Sequence, residues 1–516
     1  MRTRSGKVLV ADFETTVYEG QVNTEVWAAA CVELFTEDVK IFHSIGELFD
    51  YFASLESNIV CYFHNLKFDG SFWLSYLMDV LGWAQAMIVH GEDDIEFLKP
   101  REMPNNTFSY SISSMGQWYR ILIKYRNKII ELRDSLKLLP FTVEKIGKSF
   151  KTKHKKLDME YTGFRFAGCE ITEDEKKYIA NDVLVVKEAI EIMFQEGHKK
   201  LTIGSCCLAE YRQILGNKRF NELFPDVYEI QLDDSFGSPN VGKYINQSYR
   251  GGWCYLARGK EQQLKHNGTT ADVNSLYPSM MSSESGNTYP VGNPIFWRGD
   301  YIPEEANAYD KFYFVRFKTR FYLRPGKLPF IQIKNTLSYR ANEMLESSDR
   351  YNPADGKYYK EYYDVNGDLQ QARVVMTMTQ TDFKLFKEHY ELVDFEILDG
   401  CYFEARIGIF DEYIEKYKKI KLESTGARRE LAKLFLNNLY GKMASSPVSN
   451  FKIAYLKENG VVGFNTILAN DKKPGYIPVG SAITSYARCF TIRAAQANYH
   501  GPDKPGFIYA DTDSIH

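Results

Sequence analysis

The first two hundred residues alternate between strand-like and helical segments, and this alternation constrains the fold more than any other feature. The run KVLVADFETT is apolar and β-branched before it becomes acidic, as a buried strand that ends at a site would be. NIVCYFHN predicts a second strand, followed by a turn at Asp69 and Gly70 and then a helix. ITEDEKKYIANDV begins an amphipathic helix, with Thr172 as N-cap and Glu175 three residues later. This order predicts an α/β domain.

Length and composition predict a soluble protein of two or more domains. The chain has 516 residues, too many for one ordinary core, and we expect a boundary near residue 205. Its net charge of −3 means that a polyanion would have to be held by local basic patches or by metal ions. The eight cysteines show no CxxC spacing, which argues against a zinc module and against a secreted disulfide framework. No apolar run approaches the roughly 20 residues that cross a bilayer, so we expect no membrane association.

Four carboxylates of the first domain could form a metal site. Asp12 and Glu14 lie two residues apart on the predicted strand and therefore share one face. Asp182 follows Tyr178 by one helical turn, and Asp69 ends the second strand unit. Together these groups could hold two Mg²⁺ or Mn²⁺ ions and orient a water for attack on a phosphodiester. Each pattern alone is also typical of a solvated surface.

A second acidic cluster is predicted downstream. Asp272 ends a predicted strand in DVNSLYP, and Asp511 and Asp513 belong to the terminal YADTDSIH. The three letters DTD alone are equally typical of a polar turn. The NSLYP run that follows Asp272 has no evident packing purpose, which favours a site.

The segment LAKLFLNNLYGK predicts a helix with one functional face. Lys433, Asn437 and Tyr440 fall on one side at helical spacing, and Lys421 adds charge upstream. Such a face could bind a triphosphate and stack on a base, although a solvated amphipathic helix has the same pattern. The Lys-rich run over residues 145–156 is likewise either a solvated basic face or a track for a nucleic-acid backbone.

These motifs, taken in order, resemble those of a known enzyme family. DVNSLYP, LAKLFLNNLYGK and YADTDS are similar to the DxxSLYP, KxxxNxxYG and YxDTDS motifs of the family B (alpha-type) DNA polymerases. The protein-primed branch from small tailed phages and linear plasmids is the most similar. FETT, FHNLKFDG and YxxxD resemble the proofreading exonuclease motifs of that family, and YRGG resembles its linker between exonuclease and polymerase.

The resemblance implies a fold and a domain order. We expect a ribonuclease H-like α/β exonuclease domain followed by an α+β polymerase domain with palm and fingers. Family members continue past DTDS with a KxY-type motif and a thumb, so we expect a chain that is truncated before the thumb or is one half of a split polymerase. The implied segments are the exonuclease domain (1–205), first palm part (206–300), terminal-protein-region insertion (301–410), fingers (411–445), second insertion (446–478) and second palm part (479–516).

For the exonuclease, the resemblance implies Asp12, Glu14, Asp69 and Asp182 as ligands of two metal ions. Tyr178 would orient the attacking water, and Lys156 matches an auxiliary catalytic lysine. The positions that match binders of a single-stranded 3′ end are Thr15, His64, Asn65, Phe68, Ser135, Leu136, Phe141 and Tyr161.

For synthesis, the resemblance implies Asp272 and Asp513 as direct ligands of two further ions, with Asp511 in support. Tyr277 would close the sugar pocket, Lys421 and Lys433 would hold the triphosphate, and Asn437 and Tyr440 would line the base pocket. The positions implied to contact DNA are Tyr249, Arg250, Gly251, Gly252, Thr484 and Arg488.

The resulting hypothesis is a protein-primed DNA-directed DNA polymerase with a proofreading 3′–5′ exonuclease. It would use dNTPs and Mg²⁺ or Mn²⁺ to replicate a linear viral or plasmid genome in the host cytoplasm. Its expected partners are a DNA primer-template, single-stranded 3′ ends, a terminal protein and a second chain that supplies the thumb. Two alternatives stay open: an exonuclease only, and a DNA-binding or terminal-protein-binding module with a defunct site.

Overall fold

The computed structural model describes residues 6–16, 18, 21–90, 95–113, 116–159, 164–264, 267–333, 343–447, 449–458, 461–469 and 473–516. The strands are β1 (Lys7–Thr15), β2 (Val26–Glu33), β3 (Lys40–Phe42), β4 (Ile59–Phe63), β5 (Ala84–Gln85), β6 (Met87–Val89), β7 (Ile95–Phe97), β8 (Thr107–Ile112), β9 (Trp118–Tyr125), β10 (Lys128–Asp134), β11 (Cys254–Leu256), β12 (Ala271–Asp272), β13 (Tyr289–Arg298), β14 (Lys311–Leu323), β15 (Arg350–Asn352), β16 (Lys357–Tyr359), β17 (Glu361–Tyr363), β18 (Leu369–Gln371), β19 (Val374–Thr379), β20 (Tyr390–Arg406), β21 (Ser449–Leu456), β22 (Val462–Ala469), β23 (Tyr509–Asp511) and β24 (Ser514–Ile515). The helices are α1 (Ile45–Ser54), α2 (Leu66–Ser75), α3 (Val143–Ser149), α4 (Glu173–Gln195), α5 (Ile203–Leu215), α6 (Asn217–Leu223), α7 (Val241–Asn246), α8 (Leu276–Met281), α9 (Gln380–His389), α10 (Asp411–Glu423), α11 (Gly426–Met443) and α12 (Ile477–Ala497).

Several local predictions are confirmed. Thr172 caps α4 through the predicted capping box, in which its hydroxyl accepts from the Glu175 N–H and the Glu175 carboxylate accepts from the Thr172 N–H. The helical sequence over residues 410–444 predicts a break at Ser424, Thr425 and Gly426, and a break is present, since α10 ends at Glu423 and α11 begins at Gly426. The terminal FIYADTDSI, which predicts a pair of strands, forms a hairpin in which β23 and β24 pair antiparallel.

The predicted turn at Asp69 and Gly70 is wrong, because both residues lie inside α2. The reversal occurs earlier, at Asn65, whose φ of 73° is left-handed. Asp134 Oδ1 accepts the N–H groups of Asn65 at 3.1 Å and Leu66 at 3.3 Å. This long-range acceptor satisfies N–H groups at the start of the helix and allows α2 to begin directly after β4.

The chain forms two compact units. Unit 1 comprises Met1–Ala209, Lys419–Phe435 and Pro447–Lys472. Its main sheet has the order β3-β2-β1-β4-β10-β9-β8-β5, in which β1 and β10 run parallel to the central β4. Trp73, Phe63 and Leu132 are fully buried in its core.

Unit 2 comprises Glu210–Lys418, Leu436–Ser446 and Lys473–His516. One sheet has the order β13-β20-β14-β19, and a second has the order β11-β23-β24-β12. Phe317, Phe386 and Ile492 are fully buried in its core. In neither unit do the described residues include a helix with the length and hydropathy of a bilayer-spanning segment.

Candidate active sites

The four predicted exonuclease carboxylates lie on three elements of unit 1. Asp12 and Glu14 are on one face of β1, opposite Ala30 and Ala28 of β2. The small alanine side chains leave room beside the carboxylates. Asp69 projects from α2 and Asp182 from α4, and both side chains are buried.

The four carboxylates lie close enough together to affect one another's pKa values. Burial raises the pKa of Asp12 well above its usual value, and the charges of Asp69, Glu14 and Asp182 raise it further. Burial also raises the pKa of Asp69 to about 8, with Asp134 and Glu14 adding repulsion. Clustered acids of this kind resist losing their protons until a positive charge arrives. The site is therefore suited to a cation.

The hydrogen-bond pattern also fits a metal ion. Asp69 Oδ1 and Asp182 Oδ1 are buried, and neither has a hydrogen-bond partner among the described residues. Carboxylate oxygens are the ligands that Mg²⁺ and Mn²⁺ prefer. No three His, Cys, Asp or Glu side chains in the described ranges are already gathered as a ready metal-binding group. Coordination therefore requires these carboxylates to turn towards a shared ion.

Lys156 and Tyr178, the positions at which the resemblance implies an auxiliary lysine and a water-orienting tyrosine, both adjoin Asp182. Lys156 Nζ donates to Asp182 Oδ2 at 2.7 Å and lies 5.6 Å from the centre of the Tyr178 ring. Burial acts to lower the pKa of Lys156, but the hydrogen bond and charge of Asp182 outweigh burial and leave that pKa raised. The pKa of Tyr178 is raised by burial and by the Asp182 charge, so its hydroxyl keeps its proton at neutral pH.

The raised Asp69 pKa predicts a pH-dependent stability in the absence of metal. The carboxyl group titrates near 3.8 when unfolded and at about 8 when folded. The stabilisation from the protonated form is therefore complete below pH 3.8 and is lost as pH rises towards 8. In a chelator, we expect the free energy of unfolding to fall by about 1–3 kcal/mol between pH 5 and pH 8, and Mg²⁺ to restore it at pH 8.

Urea denaturation of the wild type and of Asp69→Asn measures this dependence. The neutral amide cannot titrate, so the variant is expected to show a smaller pH slope and a smaller gain from Mg²⁺. Equal slopes in the two proteins would contradict the assignment of this titration to Asp69.

Several predicted DNA-binding residues of unit 1 form one hydrogen-bonded group. His64 Nδ1 lies 2.9 Å from Ser135 Oγ, and His64 Nε2 lies 2.7 Å from the Phe141 carbonyl. Ser135 Oγ in turn donates to the Phe63 carbonyl at 3.1 Å. Burial lowers the pKa of His64. The group fixes the loop after β10 against the end of β4.

Asp134 belongs to this arrangement and was not predicted from the sequence. Its Oδ1 accepts the Leu136 N–H at 3.0 Å as well as the N–H groups of Asn65 and Leu66. One carboxylate thus organises two predicted DNA-binding segments. The available signal was an acid at the end of KIIELRD, in which apolar and polar residues alternate as in a strand, directly before Ser135.

The remaining predicted binders of single-stranded DNA are placed separately. The Phe68 side chain is 46% exposed and offers a free face for stacking. Thr15 ends β1, where the pairing with β2 becomes irregular. Tyr161 lies outside the described residues.

In unit 2, the sheet β11-β23-β24-β12 brings the second set of carboxylates together. Asp272 pairs with Ser514, and Asp511 pairs with both Ser514 and Cys254. Thr512, with a left-handed φ of 56°, turns the chain between β23 and β24. The Val273 N–H donates to the Asp513 carbonyl at 2.8 Å, which fixes the hairpin beside β12.

Asp272 and Asp513 interact electrostatically. Burial raises the pKa of Asp513, and the charges of Asp272 and then Asp511 raise it further. A cation between the two carboxylates would relieve this repulsion. Cys254, which the sequence did not suggest, donates its thiol to Asp511 Oδ1 at 3.0 Å and engages one oxygen of that carboxylate.

The YRGG segment packs against the DTD turn. The Thr512 N–H donates to the Trp253 carbonyl at 2.9 Å. A Cβ atom at Gly252 would lie 2.4 Å from Thr512 Oγ1, so a larger residue would displace the turn that carries the carboxylates. Glycine at this position is therefore required by close approach.

Arg488 and Thr484 of α12 are buried rather than exposed to solvent. Arg488 donates to the carbonyls of Arg250 and Gly251 and forms an ion pair with the buried Asp382 of α9. Thr484 is 1% exposed, and its hydroxyl donates within α12, to the Gly480 and Ser481 carbonyls. Arg488 thus braces the YRGG segment, and burial lowers the Arg250 pKa to about 10.

The predicted nucleotide-binding tyrosines contact one another. Tyr277 of α8 stacks on Tyr440 of α11, with ring centres 3.9 Å apart and an interplanar angle of 22°. Burial raises the pKa of Tyr249, with the Tyr440 hydroxyl as the next cause. Asn437 is exposed. Lys421 lies in the last turn of α10, and Lys433 Nζ donates to Glu430 Oε1 at 2.7 Å.

Comparison with known proteins identifies the family. Residues 53–516 match the model of the family described as DNA polymerase type B, organellar and viral. This chain belongs to that family. The DNA polymerase of Bacillus phage Nf is 37% identical over 518 residues, which cover 99% of this chain and 80% of that protein. The DNA polymerase of Streptococcus phage Cp-1 is 30% identical over 531 residues, covering 98% of this chain and 80% of that protein.

Solved structures agree with the family assignment. A phi29 DNA polymerase complexed with primer-template DNA and incoming nucleotide substrates has a TM-score of 0.79 and 35% identity, covering 99% of this chain and 80% of that one. A phi29 DNA polymerase complexed with single-stranded DNA has a TM-score of 0.78 and 34% identity, covering 99% and 79%. The fold is thus that of a type B polymerase with exonuclease and polymerase domains.

The predicted enzyme class is confirmed. The chain is a DNA-directed DNA polymerase, a nucleotidyltransferase of a family that uses divalent metal ions and dNTPs. The alternative of an exonuclease only is not favoured, because the family and the relatives that match are polymerases.

Proposed function

We propose that this polymerase extends a protein-linked primer at Asp272 and Asp513 and removes wrong nucleotides at the cluster of Asp12, Glu14, Asp69 and Asp182. The observation that carries this proposal is that each compact unit has its own group of carboxylates, in which burial and then neighbouring carboxylates raise the pKa of Asp12 in unit 1 and of Asp513 in unit 2. Two such groups serve two reactions better than one, because each can hold its own cations.

Removal of the 3′ nucleotide uses the cluster in unit 1. Two Mg²⁺ or Mn²⁺ ions bound there would lower the pKa of a water and neutralise the leaving oxygen. Tyr178 keeps its phenolic proton and orients the attacking water by hydrogen bonding. Lys156 holds Asp182 by a charge-assisted hydrogen bond of 2.7 Å and fixes the direction of its second oxygen.

Recognition of the single-stranded 3′ end uses the surface next to this cluster. Phe68 stacks on a base through its exposed ring face, while Thr15 and Asn65 offer polar groups to the backbone. His64, Ser135, Leu136 and Phe141 hold the loop that carries these contacts, and Tyr161 completes the set by family resemblance. We assign the hydrogen bond between His64 and Ser135 to shaping the DNA channel.

Nucleotide addition uses the DTD hairpin and β12. Asp272 and Asp513 would hold two cations, with Asp511 in support, and the cations would activate the primer hydroxyl and neutralise the departing pyrophosphate. Tyr277, fixed by its stack on Tyr440, closes the sugar pocket against a 2′-hydroxyl. Asn437 lines the base pocket, and Lys421 and Lys433 neutralise the triphosphate.

The primer strand is held through the braced YRGG segment. Tyr249, Arg250, Gly251 and Gly252 form the loop that contacts DNA. Arg488 supports it by donating to two of its carbonyl groups, with Asp382 balancing the buried charge. Thr484 is a positioning residue on the same helix, α12.

Two insertions extend the proposal to partners. Residues 301–410 would dock the terminal protein whose hydroxyl primes synthesis, and residues 446–478 would surround DNA during strand displacement. Both assignments rest on their location between family motifs and on fragments such as PFIQIK and YLKENG.

Incubation of the protein with a labelled primer-template and Mg²⁺, with and without dNTPs, tests the proposed activities. We expect extension when dNTPs are present and shortening when they are omitted. Retention of the DNA without either reaction would indicate a binding module and would contradict the proposal. Replacing the primer by the terminal protein tests the protein-primed step, which requires a covalent nucleotide-protein product.

Lys433→Ala is expected to raise the KM for dNTP by about tenfold, because one charge on the triphosphate is lost, while the Kd for primer-template stays unchanged. Lys433 is chosen because its hydrogen bond to Glu430 fixes the position of the charged Nζ atom. Steady-state incorporation and DNA-binding titrations measure the two constants. Lys99→Ala removes an exposed lysine of the same unit, outside the predicted sites, and serves as the matched control. A loss confined to DNA binding would overturn the role in triphosphate binding.

A further inference from the structure

The hairpin formed by β21 and β22 packs directly on the sheet that carries the first acidic cluster. All the segments concerned belong to unit 1. Ala454, Val462 and Phe464 pack against the core that contains Trp73 and Trp118. β21 contacts β8, and β22 contacts α2, the helix that carries Asp69. The hairpin therefore lies on the framework of the exonuclease site.

Polar contacts fix one strand of this hairpin in register. Tyr110 of β8 donates its hydroxyl to the Lys452 carbonyl at 2.5 Å. The Gln85 amide donates to the same carbonyl at 3.4 Å, and its oxygen accepts the Ala454 N–H at 3.3 Å. The Gln85 side-chain amide thus donates to and accepts from the backbone of β21, as the backbone of a paired strand would. A hairpin whose only function was to contact DNA would not need these specific hydrogen bonds to Gln85 and Tyr110.

Aromatic packing connects the other strand to the catalytic helix. The Phe464 ring meets the Trp118 ring nearly at right angles, with centres 6.0 Å apart, and meets the Tyr110 ring at the same centre distance. Trp118 is 5% exposed and lies against Gly70, where a Cβ atom would approach its ring to 2.7 Å. Gly70 directly follows Asp69 in α2. A displacement of the Trp118 ring would therefore press on Gly70 and shift the part of α2 that carries Asp69.

We propose that the hairpin β21–β22 is a positioning element of the exonuclease, with Phe464 as the residue that fixes Asp69 through Trp118 and Gly70. This inference rests on the proposed exonuclease function of the cluster. Phe464 touches neither substrate nor metal, and it acts by keeping α2 pressed against β9. Closely packed interiors transmit such small displacements, because their atoms have no free space to absorb them. A shift of about 1 Å in a metal ligand is sufficient to slow catalysis severely.

Phe464→Ala tests the proposal. We expect kcat for hydrolysis of single-stranded DNA to fall about tenfold with an unchanged KM, and the Mg²⁺ concentration for half-maximal rate to rise. Phe464→Tyr retains the ring and is expected to restore both values, which separates positioning from a general loss of hydrophobic residues. Incorporation of a single dNTP on a single-stranded template, which needs no strand displacement, is expected to stay at the wild-type rate in the same proteins.

Asn465→Ala is the matched control for kcat and for the Mg²⁺ dependence, since Asn465 is the next residue on β22 and is exposed on the other face, where contact with DNA would alter KM alone. Thermal unfolding of all the variants establishes that they are folded. A raised KM with an unchanged kcat in Phe464→Ala would overturn the proposal, because it would show that the hairpin only holds DNA. Equal losses in Asn465→Ala and Phe464→Ala would overturn it as well.

The outcomes distinguish a failure of this inference from a failure of the proposed exonuclease. If the wild type does not shorten DNA, the assignment of the cluster itself has failed. If the wild type shortens DNA and Phe464→Ala does so with unchanged kcat and metal dependence, only the positioning role has failed.

Discussion

Asp272→Asn is expected to lower the rate of dNTP incorporation by about 10³-fold or more and to leave the shortening of single-stranded DNA at the wild-type rate. The substitution removes a charged metal ligand but keeps the size of the side chain. The backbone pairing of Asp272 with Ser514 does not involve the carboxylate, so β12 keeps its place in the sheet. Single-turnover extension of a labelled primer measures the rate.

The matched control is Asp503→Asn, which changes an exposed carboxylate of the same unit. It is expected to extend primers at the wild-type rate. An Asp272→Asn protein that remains folded and loses both extension and shortening would show that the two reactions share one set of ligands. Full extension activity in that variant would remove Asp272 from the metal site.

Sequence reasoning could place those residues whose position depends on local geometry. Asp12 and Glu14 share a face because strand residues alternate, whatever surrounds the strand. The start of α4 was predictable because the Thr172–Glu175 capping box is contained within four residues. The DTD hairpin required only a short turn between two strand segments.

Features that depend on distant contacts were not predictable from the sequence. The expected turn at Asp69 and Gly70 fails because Asp134, 65 or more residues away along the chain, satisfies the start of α2 one turn earlier. Glycine beside an acid is typical of a turn, but Gly70 is there because Trp118 lies against it. No local pattern reports such a neighbour.

The same limit explains the residues that were missed and the altered view of Arg488. The sequence does not distinguish a buried arginine from an exposed one. Only the fold shows that Arg488 is paired with Asp382 and donates to the YRGG carbonyls. Cys254 meets Asp511 only because β11 pairs with β23 across more than 250 residues. Pairing over such separations carries no short-range signal.

Asp12→Ala is expected to slow the shortening of single-stranded DNA by about 10³-fold and to leave single-nucleotide incorporation unchanged. Asp12 is chosen because burial, and then the charges of three neighbouring carboxylates, raise its pKa. Removing it takes away a metal ligand and relieves repulsion among those that stay. The variant is therefore also expected to unfold at a higher temperature than the wild type in a chelator, and this gain should vanish when Mg²⁺ is added.

Asp50→Ala serves as the control, because Asp50 is an exposed carboxylate on α1 of the same unit. Gel assays of shortening and of extension, together with unfolding temperatures in chelator and in Mg²⁺, give the three readouts. Loss of extension in Asp12→Ala would contradict the separation of the two sites. Loss of shortening without any gain of stability in chelator would show that the carboxylates do not repel one another, and the fit of this cluster to a cation would then lose its electrostatic basis.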